Sequence, residues 1–334
     1  LTHTQRDYLE TISLAGRDLL HLVSEMSDFA KLQSGRINLD HRAFDLTNCL
    51  TQCMNRYQQE ANRKQIELVL DIADDISPRL LGDKYRLQTI VTNLIAQSLR
   101  HTESGELELK VFRVGSHKHS GIFFQVQLSG SLIEHDELRR LFRTMAGPQE
   151  QFTNINLDQG LGLIIVKRLV SLMDGSIEVE TLTHHGCSIT LFLPIEEELT
   201  ERIEEDADLL TGQRILIVDD NSTFRGVIEK QVKRWGMRAD STYSGKEALA
   251  LMRNKSNISE PYDYIVIDHD MPIMNGIQLT ERLMADSDIE PKPMRIMLTG
   301  LGIGSANQEA KEAGIQKVIN KPVRGRHLKE VLLD

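Results

Sequence analysis

The chain has 334 residues, of which 40% are hydrophobic and 26% charged, and its formal net charge is −10. A chain of this length is expected to form two or three domains, each with its own core. The acidic balance and the absence of a Lys/Arg block argue against a nucleic-acid partner, because phosphate backbones attract basic surfaces. No apolar run approaches the ~18 residues of a membrane span, so membrane attachment is expected only through segments upstream of residue 1.

The first predicted element is a helix that carries an apolar stripe. Its apolar positions, alternately four and three residues apart, are Tyr8, Ile12, Ala15, Leu19, Leu22, Met26 and Phe29. This spacing is typical of the seam of a coiled coil or helix bundle, and Gly35 predicts the end of the helix. A single helix cannot bury such a stripe alone, so residues 8–29 are predicted to form a homodimer. The alternative is packing against the domain that follows.

Residues 36–197 alternate predicted helices and strands, which indicates an α+β domain. Helices are predicted over 46–64, 84–100 and 162–173, and strands over 66–72, 107–114, 121–128, 176–181 and 187–193. Cys49 and Cys53 lie four residues apart on a predicted helix and are interpreted as core residues rather than ligands or a disulfide. The acidic run 196–208 is interpreted as a solvated link or connecting helix, and 198–212 as the linker between domains.

Four predicted strands in the last third of the chain each end in polar residues. The strands 214–218, 264–267, 294–298 and 317–320 are followed by Asp219 and Asp220, Asp268, Thr299 and Lys321, respectively. Parallel strands bring their carboxyl ends to one edge of a sheet, so these side chains are expected to meet there. Clustered carboxylates need a cationic partner, and Mg²⁺ prefers oxygen ligands. The pattern therefore predicts a magnesium site.

The order of an acidic pair, a single Asp, a Thr and a Lys-Pro resembles the response-regulator receiver domain, over residues 213–334. This resemblance implies a doubly wound α/β fold of the flavodoxin type. It also implies that Asp268 is the phosphoacceptor, that Thr299 is the switch hydroxyl and that Lys321 pairs with the phosphoryl group. A carboxylate nucleophile forms an acyl phosphate in such chemistry while cations neutralise the transferring oxygens.

By the same resemblance, Asp219 and Asp220 hold Mg²⁺ together with Asp268 and the main-chain carbonyl near Asp270. One position departs from the receiver pattern. The residue three before the lysine is usually aromatic and is Val318 here, so a switch that depends on a swinging ring is not expected.

Four segments of the first 197 residues resemble the catalytic region of sensor histidine kinases. They read DFAKLQSGRINLDHRAFDL, GDKYRLQTIVTNLIAQSLRHT, LRRLF and DQGLGLIIVKRLVSLMDGSIEVET. The resemblance implies an α+β sandwich of the histidine-kinase ATPase type over 36–197. It also implies that 1–35 is the C-terminal helix of a dimerisation domain whose phosphoacceptor histidine lies upstream of this chain. With the receiver, the chain resembles a hybrid sensor kinase, expected to be the cytoplasmic portion of a bacterial inner-membrane sensor.

The nucleotide motifs depart from the kinase pattern. The family has two asparagines four apart, the second of which binds Mg²⁺, whereas this chain has Asn93 and Gln97. In the first glycine box, Leu128 stands where an Asp reads adenine, Gly130 is kept, and Leu132 replaces the second glycine. A leucine side chain at that glycine would occupy space that the backbone needs to approach the ligand.

Gly160 and Gly162 open a predicted helix whose main-chain N–H groups could still bind a phosphate. The site retains Asn93, Gln97, Gly130, Gly160 and Gly162, but it is interpreted as degenerate, and ATP binding is expected to be weak or absent.

These features favour a regulatory hybrid kinase. Its kinase-like region is expected to associate with another histidine kinase, of the GacS type, while the receiver accepts phosphate from a kinase or a phosphotransfer protein. Two alternatives stay open. One is an active ATP-dependent kinase that passes phosphate from the upstream histidine to Asp268, and the other is a phosphatase of a partner.

Overall fold

The structure is a computed structural model that describes residues 39–73, 75–114, 121–129, 157–182, 186–198, 209–300, 303–323 and 325–334. These residues form two compact units. The first comprises the described residues up to 53 together with 72–198, and the second comprises 54–71 together with the described residues from 209 onward. The predicted helix over 8–29 lies outside the described residues.

Twelve elements are described between residues 39 and 198. They are β1 (Arg42–Asp45), α1 (Leu46–Asn55), α2 (Gln58–Arg63), β2 (Ile66–Ile72), β3 (Arg79–Gly82), α3 (Lys84–Arg100), β4 (Gly105–Phe112), β5 (Ile122–Leu128), α4 (Leu157–Leu172), β6 (Ser176–Leu182), β7 (Gly186–Leu193) and β8 (Glu196–Glu197). A five-stranded sheet has the order β2-β4-β5-β7-β6, and a three-stranded sheet has the order β1-β3-β8. The pairs β4–β5, β5–β7 and β7–β6 are antiparallel, which confirms the predicted α+β class.

Helix α3 begins directly after an aspartate that caps its first turn. The side chain of Asp83 accepts a hydrogen bond of 2.9 Å from the main-chain N–H of Arg86, which satisfies a donor that the first turn leaves unpaired. Leu87, Ile90 and Leu94 repeat at helical spacing and are buried. Their burial removes apolar surface from water, while α3 also packs against α4. The predicted helix 84–100 is confirmed.

Two predictions for the first 198 residues need correction. The predicted helix 46–64 is two helices, because Tyr57 N donates to Met54 O and closes a turn after Asn55, a residue that favours helix ends. The acidic run does not begin as a solvated link, since Glu196–Glu197 form β8 beside β3. Glu197 accepts a hydrogen bond from the N–H of Ser77 and ion pairs with Arg113.

The described residues from 209 onward contain five strands and five helices. They are β9 (Arg214–Val218), α5 (Ser222–Arg234), β10 (Arg238–Thr242), α6 (Gly245–Asn257), β11 (Tyr264–Asp268), α7 (Gly276–Ala285), β12 (Met294–Thr299), α8 (Ile303–Ala313), β13 (Lys317–Asn320) and α9 (Gly325–Leu333). All strand pairs are parallel, and the order is β10-β9-β11-β12-β13. This is the doubly wound, flavodoxin-like order, and the predicted fold is confirmed.

Both faces of this parallel sheet are buried. Leu216 and Ile265 point to one apolar cluster, while Ile215 and Val266 point to the other. Successive side chains of a strand alternate between faces, so continuous β-branched and leucine runs are what a sheet covered on both sides requires. The strand order reverses between β9 and β11, and the crevice at such a reversal is where ligands bind in this class of fold.

Candidate functional site

Four polar residues predicted at strand ends come together at the carboxyl edge of the parallel sheet. Asp219 follows β9 and Asp268 ends β11, so the two flank the point where the strand order reverses. Thr299 ends the neighbouring strand β12 and is buried, and Lys321 follows β13. The parallel strands deliver these side chains to one edge, as the sequence pattern predicts.

Three carboxylates form the acidic part of this site. Asp219, Asp220 and Asp268 each place one oxygen so that the three lie within 4.8 Å of one another. Asp219 and Asp268 are buried, whereas Asp220 is exposed. The N–H of Asn221 donates to Asp219 Oδ1 at 2.9 Å, which orients that carboxylate. A cluster of oxygen donors of this kind fits Mg²⁺, which prefers carboxylate and water ligands.

Asp270, whose main-chain carbonyl the resemblance assigns to the metal, adjoins the cluster. Its N–H lies 3.2 Å from Asp268 Oδ2, and its own side chain is exposed. Gly276 closes the same loop, and its N–H donates to His269 O at 3.1 Å. A Cβ at Gly276 would lie 2.6 Å from the main-chain oxygen of Asp268, so only glycine allows helix α7 to start this close to the main chain of that residue.

The ammonium group of Lys321 lies at the centre of the site. Its Nζ is 2.7 Å from Asp219 Oδ2 and 2.9 Å from Asp268 Oδ1, and only 8% of the side chain is exposed. Burial lowers the pKa of Lys321, but the charges of the nearby carboxylates outweigh burial and leave the pKa raised. Lys321 is therefore charged, and it compensates part of the negative charge that the strand ends gather.

The carboxylates keep an excess of negative charge despite this lysine. Burial, followed by the charges of Asp268 and Glu67, raises the pKa of Asp219 to about 7, although Lys321 opposes the shift. Burial and the charge of Asp268 also raise the pKa of Asp220. Burial and repulsion between neighbouring carboxylates cause these shifts, and a divalent ion bound by the carboxylates would oppose them.

Three residues that the sequence analysis did not single out also contact this site. Glu67 Oε1 lies 2.6 Å from Lys321 Nζ, Asn62 Nδ2 donates to Gly300 O at 2.5 Å, and the ring of Phe224 lies 4.3 Å from Lys321 Nζ. Glu67 is the one charged residue in the otherwise apolar run 66–70, and this pattern could have identified it from the sequence. No sequence pattern pointed to Asn62.

The two amides of the predicted nucleotide site lie on one face of α3. Asn93 Nδ2 donates to Thr89 O at 2.8 Å, but Asn93 Oδ1 and Gln97 Oε1 are buried without a hydrogen-bond partner in the described part of the chain. Unsatisfied buried oxygens are costly, so both point to a missing donor or cation. Their chemistry fits a Mg²⁺ ion that carries nucleotide phosphates.

Leu128, at the predicted adenine-reading position, is a core residue. It ends β5 opposite Leu107 on β4 and Cys187 on β7, and it is 2% exposed. A buried apolar side chain offers no acceptor to an adenine amino group. Packing in the core therefore accounts for a leucine at this position.

The structure describes only some of the remaining residues that were predicted for the nucleotide site. Gly130, Leu132 and the LRRLF segment lie outside the described residues. Gly160 and Gly162 lie within α4, which begins at Leu157, five residues before the predicted start. The four N–H groups without a partner inside a helix are those of the N-cap and the first three helical residues, so neither Gly160 nor Gly162 keeps a free main-chain donor for a phosphate.

Two family models match the chain. Residues 82–197 match the Histidine kinase-, DNA gyrase B-, and HSP90-like ATPase, and residues 215–333 match the Response regulator receiver domain. The chain has the ATPase and receiver domains of a hybrid histidine kinase. The predicted family and two-component assignment are confirmed at that level.

Three curated relatives are similar in sequence to this chain. This hybrid kinase chain is 24% identical over 351 residues to the Autoinducer 2 sensor kinase/phosphatase LuxQ of Vibrio harveyi, covering 100% of the chain and 39% of LuxQ. It is 26% identical over 363 residues to the Sensory/regulatory protein RpfC of Xanthomonas campestris pv. campestris, covering 99% and 49%. It is 30% identical over 224 residues to the Signal transduction histidine-protein kinase BarA of Escherichia coli, covering 66% and 24%. The chain thus spans less than half the length of each.

A solved structure shares the fold. Full-length ShkA, crystallised in complex with AMPPNP, superposes with a TM-score of 0.71 and 24% identity, covering 100% of the chain and 65% of ShkA. None of the helices among the described residues of the hybrid kinase combines the length and the apolar character that crossing a bilayer requires.

Proposed function

We propose that this hybrid histidine kinase accepts a phosphoryl group on Asp268 of its receiver domain. The observation that carries the proposal is the position of Lys321, whose ammonium lies 2.9 Å from Asp268 and 2.7 Å from Asp219. A buried lysine beside an oriented carboxylate is suited to neutralise the oxygens of a transferring phosphoryl group. The roles follow the receiver resemblance residue by residue.

In the proposed reaction, an oxygen of Asp268 attacks the phosphorus of a phosphohistidine on a kinase or phosphotransfer protein. The P–N bond breaks, the imidazole leaves and takes up a proton, and an acyl phosphate forms on Asp268. Lys321 pairs with a phosphoryl oxygen, and the hydroxyl of Thr299, at the end of the next strand, would bind a second one, as the receiver resemblance implies. Mg²⁺ held by Asp219, Asp220, Asp268 and the Asp270 carbonyl would supply further charge neutralisation.

Phosphorylation by acetyl phosphate with and without Mg²⁺ tests this proposal. We expect Mg²⁺-dependent incorporation of one phosphoryl group, measured by intact mass, and its loss in Asp268→Asn. Asp288→Asn makes the same change at an exposed position in the same unit and is expected to behave as wild type. Incorporation that persists in Asp268→Asn would show that the nucleophile is another residue.

We also propose that the ATP site is impaired. Leu128 is buried where the kinase family places its adenine-reading carboxylate, and a hydrogen bond to a charged group contributes about 1.5–3 kcal/mol, or roughly tenfold to a hundredfold in affinity. Gln97 is one methylene longer than the family's metal-binding asparagine. Calorimetric titration with Mg·ATP should give very weak binding or none, and micromolar binding would contradict the proposal.

An impaired kinase could still regulate a partner by association. The apolar stripe of residues 8–29 would pair with a second copy or with another histidine kinase of the GacS type, a role similar to that of the orphan hybrid sensor RetS of pseudomonads. A homodimer and a heterodimer would compete for one surface, so association removes a protomer from the active pair. The parent protein would be an inner-membrane sensor with this portion in the cytoplasm.

Replacement of Leu22 by Glu tests the association. An unpaired charge in a helix seam costs several kcal/mol, so Leu22→Glu should disrupt self-association and capture of a candidate kinase. If light scattering shows an unchanged dimer and the kinase still co-purifies, the stripe packs within the domain instead.

An active ATP-dependent kinase is the second candidate, and one observation favours it. The buried oxygens of Asn93 and Gln97 have no hydrogen-bond partner among the described residues, and a metal ion with bound phosphates would satisfy both. Rapid labelling from ATP of a longer chain that includes the upstream histidine would support this candidate.

A phosphatase of a partner is the third candidate, since LuxQ is named a sensor kinase/phosphatase. Loss of phosphate from a labelled partner without ATP would support it.

A further inference from the structure

The second unit contains a segment that reaches the proposed phosphorylation site, and it comes from far outside the receiver sequence. Residues 58–67, here called the capping segment, comprise α2 and the start of β2 and belong to the same compact unit as residues 209 onward. Glu67 Oε1 lies 2.6 Å from Lys321 Nζ, and its side chain is 24% exposed. Asn62 Nδ2 donates to the main-chain oxygen of Gly300, the residue after Thr299, at 2.5 Å.

Neighbouring contacts hold the capping segment in place. Gln58 Nε2 donates to Asn62 Oδ1 at 2.9 Å, which orients the amide that contacts Gly300. Val69, two residues beyond Glu67, is fully buried in the apolar cluster that also contains Ile217 and Leu298. Packing of this kind fixes the direction of β2, and with it the position of Glu67.

Each N–H donor of Lys321 already has a carboxylate neighbour in this structure. An ammonium has three N–H donors, and Lys321 Nζ has three carboxylate neighbours, Asp219, Asp268 and Glu67, at 2.7, 2.9 and 2.6 Å. A phosphoryl group on Asp268 would need one of these donors. It would also bring negative charge next to the Glu67 carboxylate, and like charges at such distances repel.

We infer that the capping segment competes with the phosphoryl group for Lys321. Glu67 occupies one of the three donors of Lys321, and Asn62 covers the main chain beside Thr299. The docked segment therefore slows phosphorylation of Asp268, and phosphorylation in turn weakens docking, because coupling between two binding events is reciprocal. This inference rests on the proposed function of Asp268.

The first test compares Glu67→Gln with Glu60→Gln in the full chain. Both changes remove one negative charge from the capping segment, but only Glu67 contacts Lys321. We expect Glu67→Gln to bind beryllofluoride with Mg²⁺ roughly tenfold more tightly than wild type, as loss of one charge-assisted hydrogen bond would give, and to react faster with acetyl phosphate. Glu60→Gln should match wild type. Equal affinities for Glu67→Gln and wild type would overturn the inference.

The second test traps the docked segment. A Cβ at Gly300 would lie 3.3 Å from Asn62 Oδ1, an atom two bonds beyond the Cβ of residue 62. The two Cβ atoms in Asn62→Cys/Gly300→Cys are therefore at most about 6 Å apart, and a small movement brings them to the ~3.5–4.5 Å that a disulfide spans. The oxidised protein should react with acetyl phosphate much more slowly than the same protein after reduction. In that reaction a P–O bond to acetate breaks as the bond to Asp268 forms. Failure to form the disulfide, or equal rates before and after reduction, would contradict docking.

The two proposals fail differently. If wild type neither binds beryllofluoride nor incorporates phosphate, the proposed function of Asp268 is wrong. If wild type is phosphorylated but Glu67→Gln and the disulfide leave the rate unchanged, only the capping segment is misassigned.

Discussion

Lys321 Nζ lies 4.3 Å from the ring centroid of Phe224, on the first turn of α5. The ring is 2% exposed, so it shields the ammonium from water and contributes the attraction of a π face for a cation. Phe224 thus helps to fix the direction of Lys321 toward Asp268. The sequence around Phe224 or Lys321 does not predict this contact. Phe224 lies 97 positions before Lys321, and the two residues follow different strands.

A double-mutant cycle measures the contact between Phe224 and Lys321. For a desolvated pair we expect a coupling of about 1–2 kcal/mol in the free energy of unfolding, from urea denaturation of Phe224→Leu, Lys321→Met and the double mutant. Lys317→Met in place of Lys321→Met is the control, since Lys317 pairs with Asp334 at 3.0 Å on an exposed part of β13. A coupling of Phe224 with Lys321 no larger than the control value would show that the ring is merely packed nearby.

Gly276→Ala should damage the site as well as the fold. Its Cβ would lie 2.6 Å from the main-chain oxygen of Asp268, so the loop must move, at a cost of about 1–3 kcal/mol, and carry the carboxylate with it. Gly226→Ala is the matched change, because nothing lies within 4 Å of a Cβ there and α5 should gain about 0.5–1 kcal/mol. Thermal unfolding and the acetyl phosphate rate report the two effects. A neutral Gly276→Ala would mean that the loop accommodates the methyl group.

Leu128→Ala should destabilise the protein without restoring nucleotide binding. Truncation of a buried leucine costs about 2–5 kcal/mol, because it leaves a cavity in the core. Leu172→Ala, at an exposed position of α4, should change stability by less than about 1 kcal/mol. Urea unfolding and Mg·ATP titration of both variants separate a core role from a ligand-excluding role. Gain of ATP binding in Leu128→Ala would indicate that the leucine blocks the pocket.

The three cysteines should be unreactive while the protein is folded. Cys49, Cys53 and Cys187 are free thiols and all are buried. Burial raises the pKa of Cys187 to about 11, and a hydrogen bond to Cys53 together with burial raises that of Cys49. The reactive thiolate is therefore scarce at pH 8 until unfolding returns each pKa toward its ordinary value. Ellman's reagent should label no thiol rapidly in buffer and all three in denaturant; one fast thiol in buffer would contradict this burial.

Local patterns in the sequence determined the elements of the receiver and the residues at its strand ends. The runs before Asp219, Asp268, Thr299 and Lys321 are short, apolar and bounded by polar residues, and all four became strands of one parallel sheet. Such strands are buried on both faces, so their composition alone marks them. The predicted helix 84–100 was likewise found from local pattern, and the structure adds that Asp83 caps its first turn.

Only the tertiary structure decided what surrounds those side chains. Glu67 and Lys321 are separated by 254 positions, yet their charged atoms lie 2.6 Å apart, and no periodicity or spacing encodes a contact between segments so distant in sequence. The break of the predicted helix 46–64 is also visible only in the structure, where Tyr57 N donates to Met54 O and closes a turn. Helix propensity is weak compared with the free energy of burying apolar surface, so a helical pattern in the sequence does not by itself fix where a helix ends.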